Sequence, residues 1–276
     1  TLSLHDALPI SAHSQTQHQL QVLHCRTAGA QAQQLLQAEG VATRVLPIAG
    51  HTRENFSVVE TATGQEFRFV LPGPQVQPAE WQALLDALAA QDPAPRWWIA
   101  SGSLPPGVPD DFYARMAALA QAKGGQLVVD SSGAALAAAL QAGVYLVKPS
   151  LRELREHTGL PLADAPAWRA AAQSLITQGE AAMVALSLGE QGAVLATKDG
   201  VWEAPALPLS AATGTTGAGD CFLAALTWAL DQGEPPPEAL RWAMAAGGAA
   251  LLHPGTALAH PADMQALRPQ VRVTAV

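Results

Sequence analysis

Residues Thr213–Asp220 read TGTTGAGD and run directly into an apolar, alanine-rich stretch. Three glycines, Gly214, Gly217 and Gly219, precede what patterns as a helix. Successive backbone N–H groups in such a segment can cup an anion, and the positive end of the helix adds to the attraction. Gly217 and Gly219 carry no Cβ, so phosphate oxygens can approach the main chain there. Asp220 falls in the first helical turn. A carboxylate set where phosphate lands needs a reason, and accepting the proton of an attacking hydroxyl supplies one. Taken alone, the same residues also read as a glycine-rich turn with Asp220 as a plain helix cap.

The elements that must position this segment follow from the hydrophobic pattern. Helical periodicity covers 28–38, 80–90, 110–123, 134–142, 151–157, 167–178, 218–230 and 237–252, with Gly40 as a left-handed cap and Asp110 as an N-cap. Short apolar runs at 97–100, 127–130, 144–147 and 182–187 read as buried strands, with further strands at 41–47, 192–197 and 202–205. Two alternating stretches, 55–60 and 66–70, flank a turn containing Gly64 and read as a hairpin outside the buried sheet. Buried apolar strands separated by helices are the pattern of a parallel sheet covered on both faces, and ligands of such sheets bind beyond the carboxyl ends of the strands. The polar clusters fall there: Ser101–Ser103, Asp130–Gly133, Lys148–Ser150 and Ser187–Gly189. Four such clusters point to one shared cleft.

With 276 residues, the chain can bury one substantial core. Apolar residues make up 49% and charged residues only 14%; the net charge of −8 comes from 15 basic and 23 acidic side chains. A nucleic-acid-binding protein shows the opposite excess, so nucleic acid is not an expected partner. No apolar run is long enough to span a bilayer, and no signal peptide is evident. Cys25 and Cys221 form no pair motif and read as reduced thiols of a cytoplasmic protein. Residues 1–24 stand apart. The chain opens TLSLHDALPI, which reads like translated sequencing-adapter text, followed by a Gln-, His- and Ser-rich stretch. They are expected to be a non-native or disordered leader, with the domain running from 25 to 276.

GTTGAGDCF resembles the C-terminal signature of the PfkB family of carbohydrate kinases. Other segments extend the resemblance: SGSLP at Ser101–Pro105, VVDSS at Val128–Ser132, LVKPSLREL at Leu146–Leu154, and SLGEQGA at Ser187–Ala193. TREN at Thr52–Asn55 with EFRFVLPG at Glu66–Gly73 is similar to the lid hairpin of the branch that contains the minor bacterial 6-phosphofructokinase. The resemblance implies a ribokinase-like α/β fold: a three-layer α/β/α sandwich with a mainly parallel central sheet and a small β lid at about 52–72. It implies ATP and Mg²⁺ as cofactors and transfer of phosphate to a phosphohexose, with fructose 6-phosphate the leading candidate. Fructose 1-phosphate, tagatose 6-phosphate, or a non-catalytic sugar-phosphate- or nucleotide-binding role are the alternatives. The implied roles are Asp220 as base, and the backbone of Gly217, Ala218 and Gly219 as anion hole. Ser187, Gly189 and Thr215 lie near ATP, Lys148 reaches its phosphates, and Glu153 organises Mg²⁺ through water. Ser101 and Arg53 contact the sugar phosphate. Relatives of this branch pair through their lids, so a complete chain is expected to form a homodimer, and this one, with its lid incomplete, to assemble weakly or aggregate.

Two departures from the family pattern stand out. Ser150 occupies the Asn position of the KPNxxE motif, keeping a donor and an acceptor on a shorter side chain. The family's opening strand, with its substrate-binding Asp, and the Gly-Gly segment after it have no counterpart here. The expectation is therefore a chain lacking its first strands, with an incomplete lid.

Overall fold

The computed structural model describes residues 19–24, 26–63, 65–209, 217–253 and 258–276. The chain divides into two compact units, residues 19–90 with Leu104–Pro109, and Gln91–Ser103 with Asp110–Val276.

The first unit begins with β1 (Gln19–His24), α1 (Arg26–Ala38) and β2 (Ala42–Pro47), and β1 pairs with β2 in parallel. The sequence reading expected no strand at Gln19–His24, inside the stretch assigned to a leader, because QLQVLH is too short and too polar to show a clear period. The hairpin is formed by β3 (Phe56–Val59) and β4 (Glu66–Phe69), antiparallel with Phe56 opposite Phe69. Helix α2 (Pro78–Ala89) opens with Pro at its first turn and a capping box between Gln77 and Glu80. The other Glu80 oxygen accepts from the Ala49 amide at 2.6 Å, tying α2 to the chain after β2.

The second unit contains a seven-stranded sheet in the order β11-β10-β9-β8-β7-β6-β5. Its first half alternates strand and helix: β5 (Trp97–Ser101), α3 (Phe112–Ala122), β6 (Gln126–Asp130), α4 (Gly133–Ala142), β7 (Val144–Val147), α5 (Leu151–Thr158), α6 (Ala165–Thr177) and β8 (Ala181–Ser187). These four strands pair in parallel, as their separation by helices requires. After β8 there is only a short 3₁₀ turn, Gly189–Gln191, so β9 (Ala193–Thr197) and β10 (Gly200–Ala204) return antiparallel, and β11 (Thr274–Ala275) closes the edge. The sheet is thus parallel on one side and antiparallel on the other. The turn into β9 demands glycine: Gly192 has φ +102°, and a Cβ there would lie 2.0 Å from the Ala204 carbonyl.

The sheet is sandwiched. Val128, Leu146, Met183, Ala185, Ala193 and Leu195 pack against α7 (Ala218–Asp231) and α8 (Pro236–Ala250) through Cys221, Phe222, Leu226, Leu240 and a series of alanines. The alternate residues Val129, Val184, Leu186 and Val194 are buried on the other face, where α3, α4 and α6 lie. Burial on both faces explains why these strands read as continuous apolar runs. Helix α9 (Pro261–Leu267) follows, a short element the periodicity reading did not anticipate. A second correction concerns α3, which starts at Phe112 with Asp111 in the capping position. Asp110 does not cap it, and the Asp111 carboxylate turns to Arg115, at 3.0 and 2.9 Å. Cys221 is a buried free thiol; Cys25 lies outside the described residues.

Candidate active site

Strand register brings the sequence-predicted residues together. In the β5–β6 pair Ser101 stands opposite Asp130, and in the β6–β7 pair Val129 stands opposite Val147. Lys148 therefore leaves β7 beside the end of β6, and its amide donates to the Val129 carbonyl at 3.0 Å. One strand further, Ser150 bridges to Ser187 in parallel, and the Ser187 amide donates to the Pro149 carbonyl at 2.9 Å. The Gly102 amide donates to the Asp130 carbonyl at 2.8 Å, which draws the Ser101–Ser103 loop over the end of β6. All of these residues belong to the second unit.

The start of α7 points at the same strand ends. Gly217 occupies the capping position with φ +87°, a left-handed conformation that glycine adopts without strain. The first intrahelical bond runs from the Cys221 amide to the Gly217 carbonyl, so the N–H groups of Gly217, Ala218 and Gly219 have no intrahelical partner and carry the positive end of the helix. Asp220, one residue further, receives a hydrogen bond from the Ser101 hydroxyl at 3.4 Å. The Lys148 ammonium lies 3.5 Å from where a Cβ on Gly219 would stand, so a cation rests against the start of α7.

Lys148 is held there by a carboxylate. Its ammonium is 2.9 Å from Asp130, and both side chains are largely buried, at 8% and 18% exposure. Burial pushes the Asp130 carboxyl above its ordinary range; Lys148 pulls it back, while Asp220 and Glu153 add to the rise. Beneath the pair, the Gly102 carbonyl accepts from Tyr113 Oη and from Ser131 Oγ, both at 3.0 Å. Burial, and then the charge of Asp130, raises the Tyr113 phenol far above its usual value, so it stays a donor. These bonds fix the loop that carries Ser101.

Glu153 enters from the first turn of α5. One of its oxygens accepts from the Ser150 amide at 2.8 Å, while Ser150 Oγ accepts from the Glu153 amide at 3.3 Å. The reciprocal pair is a capping box. It fixes Glu153 against the strand end, and the exposed Arg152 lies 3.6 Å from its other oxygen. An open pocket of about 220 Å³ is lined by Ser101, Ser103, Asp130, Ser131, Glu153 and Asp220, among others.

Of the residues singled out in the sequence, Ser101, Lys148, Ser150, Glu153, Ser187, Gly217, Ala218, Gly219 and Asp220 gather at the strand ends and at the start of α7. Gly189, φ +60°, begins the 3₁₀ turn just after Ser187. Thr215 lies outside the described residues. Arg53 belongs to the first unit, where its guanidinium donates to the Leu71 carbonyl at 3.2 Å and so ties the strand entering the hairpin to the one leaving it. The sequence places Asp130 in the polar cluster after its strand and in the VVDSS motif but gives it no role of its own. Its signal was available: an acidic residue at the end of an apolar strand, next to the strand that ends in Lys148. Among the described residues no three His, Cys, Asp or Glu side chains converge tightly enough to enclose a metal. Asp130 and Glu153 nevertheless face one pocket, an arrangement that fits a hydrated Mg²⁺, which keeps several waters and meets protein through few carboxylates.

Comparison with known proteins bears on this arrangement. Residues 25–263 match the model of the pfkB family carbohydrate kinase. An ATP-dependent 6-phosphofructokinase isozyme 2 of Mycobacterium tuberculosis is 43% identical over 231 residues, covering 84% of this chain and 68% of that protein. A 1-phosphofructokinase of Xanthomonas campestris is 38% identical over 201 residues, 71% of this chain and 62% of that protein. Among solved structures, phosphofructokinase-2 from Escherichia coli in complex with potassium superposes with a TM-score of 0.89 at 31% identity, covering 96% of this chain and 85% of that one.

Proposed function

The chain belongs to the pfkB family of carbohydrate kinases, and from that premise we propose that it phosphorylates fructose 6-phosphate with ATP, giving fructose 1,6-bisphosphate and ADP. The observation that carries the reading is the joint placement of Asp220 and Lys148 about the start of α7: a carboxylate beside Ser101 on the sugar side, a cation against Gly219 on the phosphate side. In this reading Asp220 accepts the proton of the acceptor hydroxyl as its oxygen bonds to the γ-phosphorus and the bond to the ADP oxygen breaks. The N–H groups of Gly217–Gly219 and the Lys148 ammonium face the charge spread over the phosphoryl oxygens. Ser187, Gly189 and Thr215 bind the nucleotide, and Ser101 orients the sugar. Arg53 binds the sugar's phosphate ester, for which its planar fork is suited. Glu153 would hold Mg²⁺ through its waters, and the ion bound there would neutralise charge on the nucleotide phosphates.

The same residues support transfer to fructose 1-phosphate, a reading favoured by the likeness to the Xanthomonas campestris protein named 1-phosphofructokinase. The two sugars differ in which end carries phosphate, and a coupled assay of ADP release separates them. Fructose 6-phosphate is expected to give the larger kcat/KM. If neither fructose phosphate accelerates ADP release while ATP still binds, the protein is a binding relative and the kinase reading fails. We place the protein in the cytoplasm, where ATP and sugar phosphates are found, and no helix among the described residues is long and apolar enough to cross a membrane. We assign it a homodimer formed through the β3–β4 hairpin, whose Phe56, Val58, Phe67 and Phe69 are exposed.

A further inference from the structure

We propose that Asp130 is a positioning residue of this site, acting on phosphoryl transfer through Lys148, whose ammonium it holds against the anion cup at Gly219. The inference rests on the kinase reading above and deepens it.

Three observations converge. Lys148 and Asp130 meet at 2.9 Å with both side chains largely withdrawn from water, so neither is a surface ion pair of little consequence. The backbone fixes both partners: Lys148 N–H donates to the carbonyl of Val129, the residue before Asp130, and Gly102 N–H donates to the Asp130 carbonyl. The same ammonium lies 3.5 Å from where a Cβ on Gly219 would stand, at the start of the helix that carries Asp220. A lysine stem is flexible and its charge is compact, so without a fixed partner it samples many positions. Two other carboxylates, Glu153 and Asp220, line the same pocket and compete for it. Were Lys148 to turn to Asp220, it would pair with the group assigned as base and leave the cup without its cation. Asp130, on the neighbouring strand, prevents that exchange by holding the ammonium at 2.9 Å.

The role predicts coupling. Removing Asp130 acts on turnover by letting Lys148 stray, so it has little further effect once Lys148 is gone. A ligand contact made by Asp130 itself would be lost equally with or without Lys148. Breaking a buried pair on one side also leaves an uncompensated charge, whereas removing both partners does not.

The test is a double-mutant cycle on the full chain with Asp130→Asn, Lys148→Met and their combination, plus Asp130→Glu. It is read by thermal melts without substrate and by steady-state kinetics with ATP and fructose 6-phosphate. Asp130→Asn is expected to lower kcat by about 10–100-fold with KM for the sugar phosphate changed less than about threefold, the pattern of an interaction made only in the transition state. On the Lys148→Met background the same change should lower kcat by less than about threefold. Asp130→Glu, which keeps the charge, should recover part of the activity, and the double variant should melt above Asp130→Asn. If Asp130→Asn does not fold, the double variant decides alone: kcat matching Lys148→Met supports the role. Equal losses on both backgrounds, or undiminished kcat in Asp130→Asn, overturn it. A wild-type chain that melts cooperatively but lacks sugar-dependent turnover defeats the kinase reading instead, and the melts still report whether the two residues are coupled.

Discussion

Ser101 Oγ and Asp220 Oδ1 lie 3.4 Å apart although 119 residues separate them in sequence. One ends β5 and the other sits in the first turn of α7. Their contact closes the site: it joins the parallel strand ends, which carry the polar loops, to the helix that begins after Gly217. Asp220 is thereby held beside a hydroxyl on a rigid strand, at a fixed separation from the N–H groups of Gly217–Gly219.

That geometry predicts the effect of Asp220→Asn. The change nearly preserves size and removes the proton acceptor. It should lower kcat by about 10²–10⁴-fold, the usual worth of general base catalysis. Affinity for ATP should hold or tighten slightly, and the melting temperature should move little, since only a favourable charge at a helix start is lost. A plain capping role for Asp220 gives the reverse, reduced stability with near-normal turnover. Melts and coupled-assay kinetics side by side distinguish the two, and retention of more than about a tenth of kcat would remove Asp220 from the role of base.

The legibility of this site in sequence follows from where its information is stored. Buried strands announce themselves by continuous apolar runs, and the residues just after them, Ser101, Lys148 and Ser187, are placed by strand register alone. Gly217 and Asp220 were legible because positive φ and a carboxylate at a helix start each demand particular residue types. The Asp130–Lys148 pair was legible only in part: each residue reads as the polar end of an apolar strand, but their adjacency follows from sheet register, which no local pattern encodes. β1 and α9 escaped for a different reason: six or seven residues span too few periods to separate from loop. The return of β9 and β10 as antiparallel strands turned on the brevity of the Gly189–Gln191 connection, too short to hold a crossover helix.

Ser150 and Glu153 test whether the carboxylate that caps a helix also serves the proposed Mg²⁺. Ser150→Ala removes the acceptor for the Glu153 amide and should cost about 1 kcal/mol of stability. Ser150→Asn should be close to neutral in stability, because Asn caps as well as Ser. Glu153→Gln should raise the Mg²⁺ concentration needed for half-maximal rate and lower turnover. A Mg²⁺ series at saturating ATP checks this, and unchanged Mg²⁺ dependence in Glu153→Gln would confine Glu153 to its capping role.

Two glycines of the anion cup should respond differently to the same methyl group. Gly217 has φ +87°, so Gly217→Ala forces a left-handed alanine and should cost about 1–2 kcal/mol of stability. Gly219 has ordinary helical geometry, and among the described residues its added Cβ would meet the Lys148 side chain alone, Nζ at 3.5 Å and Cε at 4.0 Å. Gly219→Ala should therefore fold with unchanged or slightly raised stability, while the methyl group keeps a phosphate oxygen from the main chain and lowers kcat. Thermal melts paired with kinetics read the contrast. Normal turnover in Gly219→Ala would show that the phosphoryl group does not approach the main chain there.

The last prediction concerns the hairpin. Phe56 and Phe69 stack with ring centroids 4.9 Å apart and planes 17° from parallel, yet both are about half exposed, as are Val58 and Phe67. The register sets Phe56 opposite Phe69 and Val58 opposite Phe67, so all four share one face. A two-stranded hairpin has little stability of its own, and an apolar face of this kind calls for a covering surface. A second copy of the same hairpin supplies one, since a self-complementary patch generates an isologous dimer. Burying one such side chain contributes about 1.5–3 kcal/mol. Phe69→Glu removes that contribution from both protomers and places two carboxylates in the interface. With about 1.4 kcal/mol per tenfold, dimer dissociation should rise by at least about a hundredfold. Light scattering across a concentration series should show a dimer for the unaltered chain and a monomer for Phe69→Glu. Lys198→Glu, an exposed charge change in the second unit, serves as the control and should remain dimeric. A fully active monomer of the unaltered chain, or a Phe69→Glu variant as dimeric as its parent, would reject the hairpin as the interface.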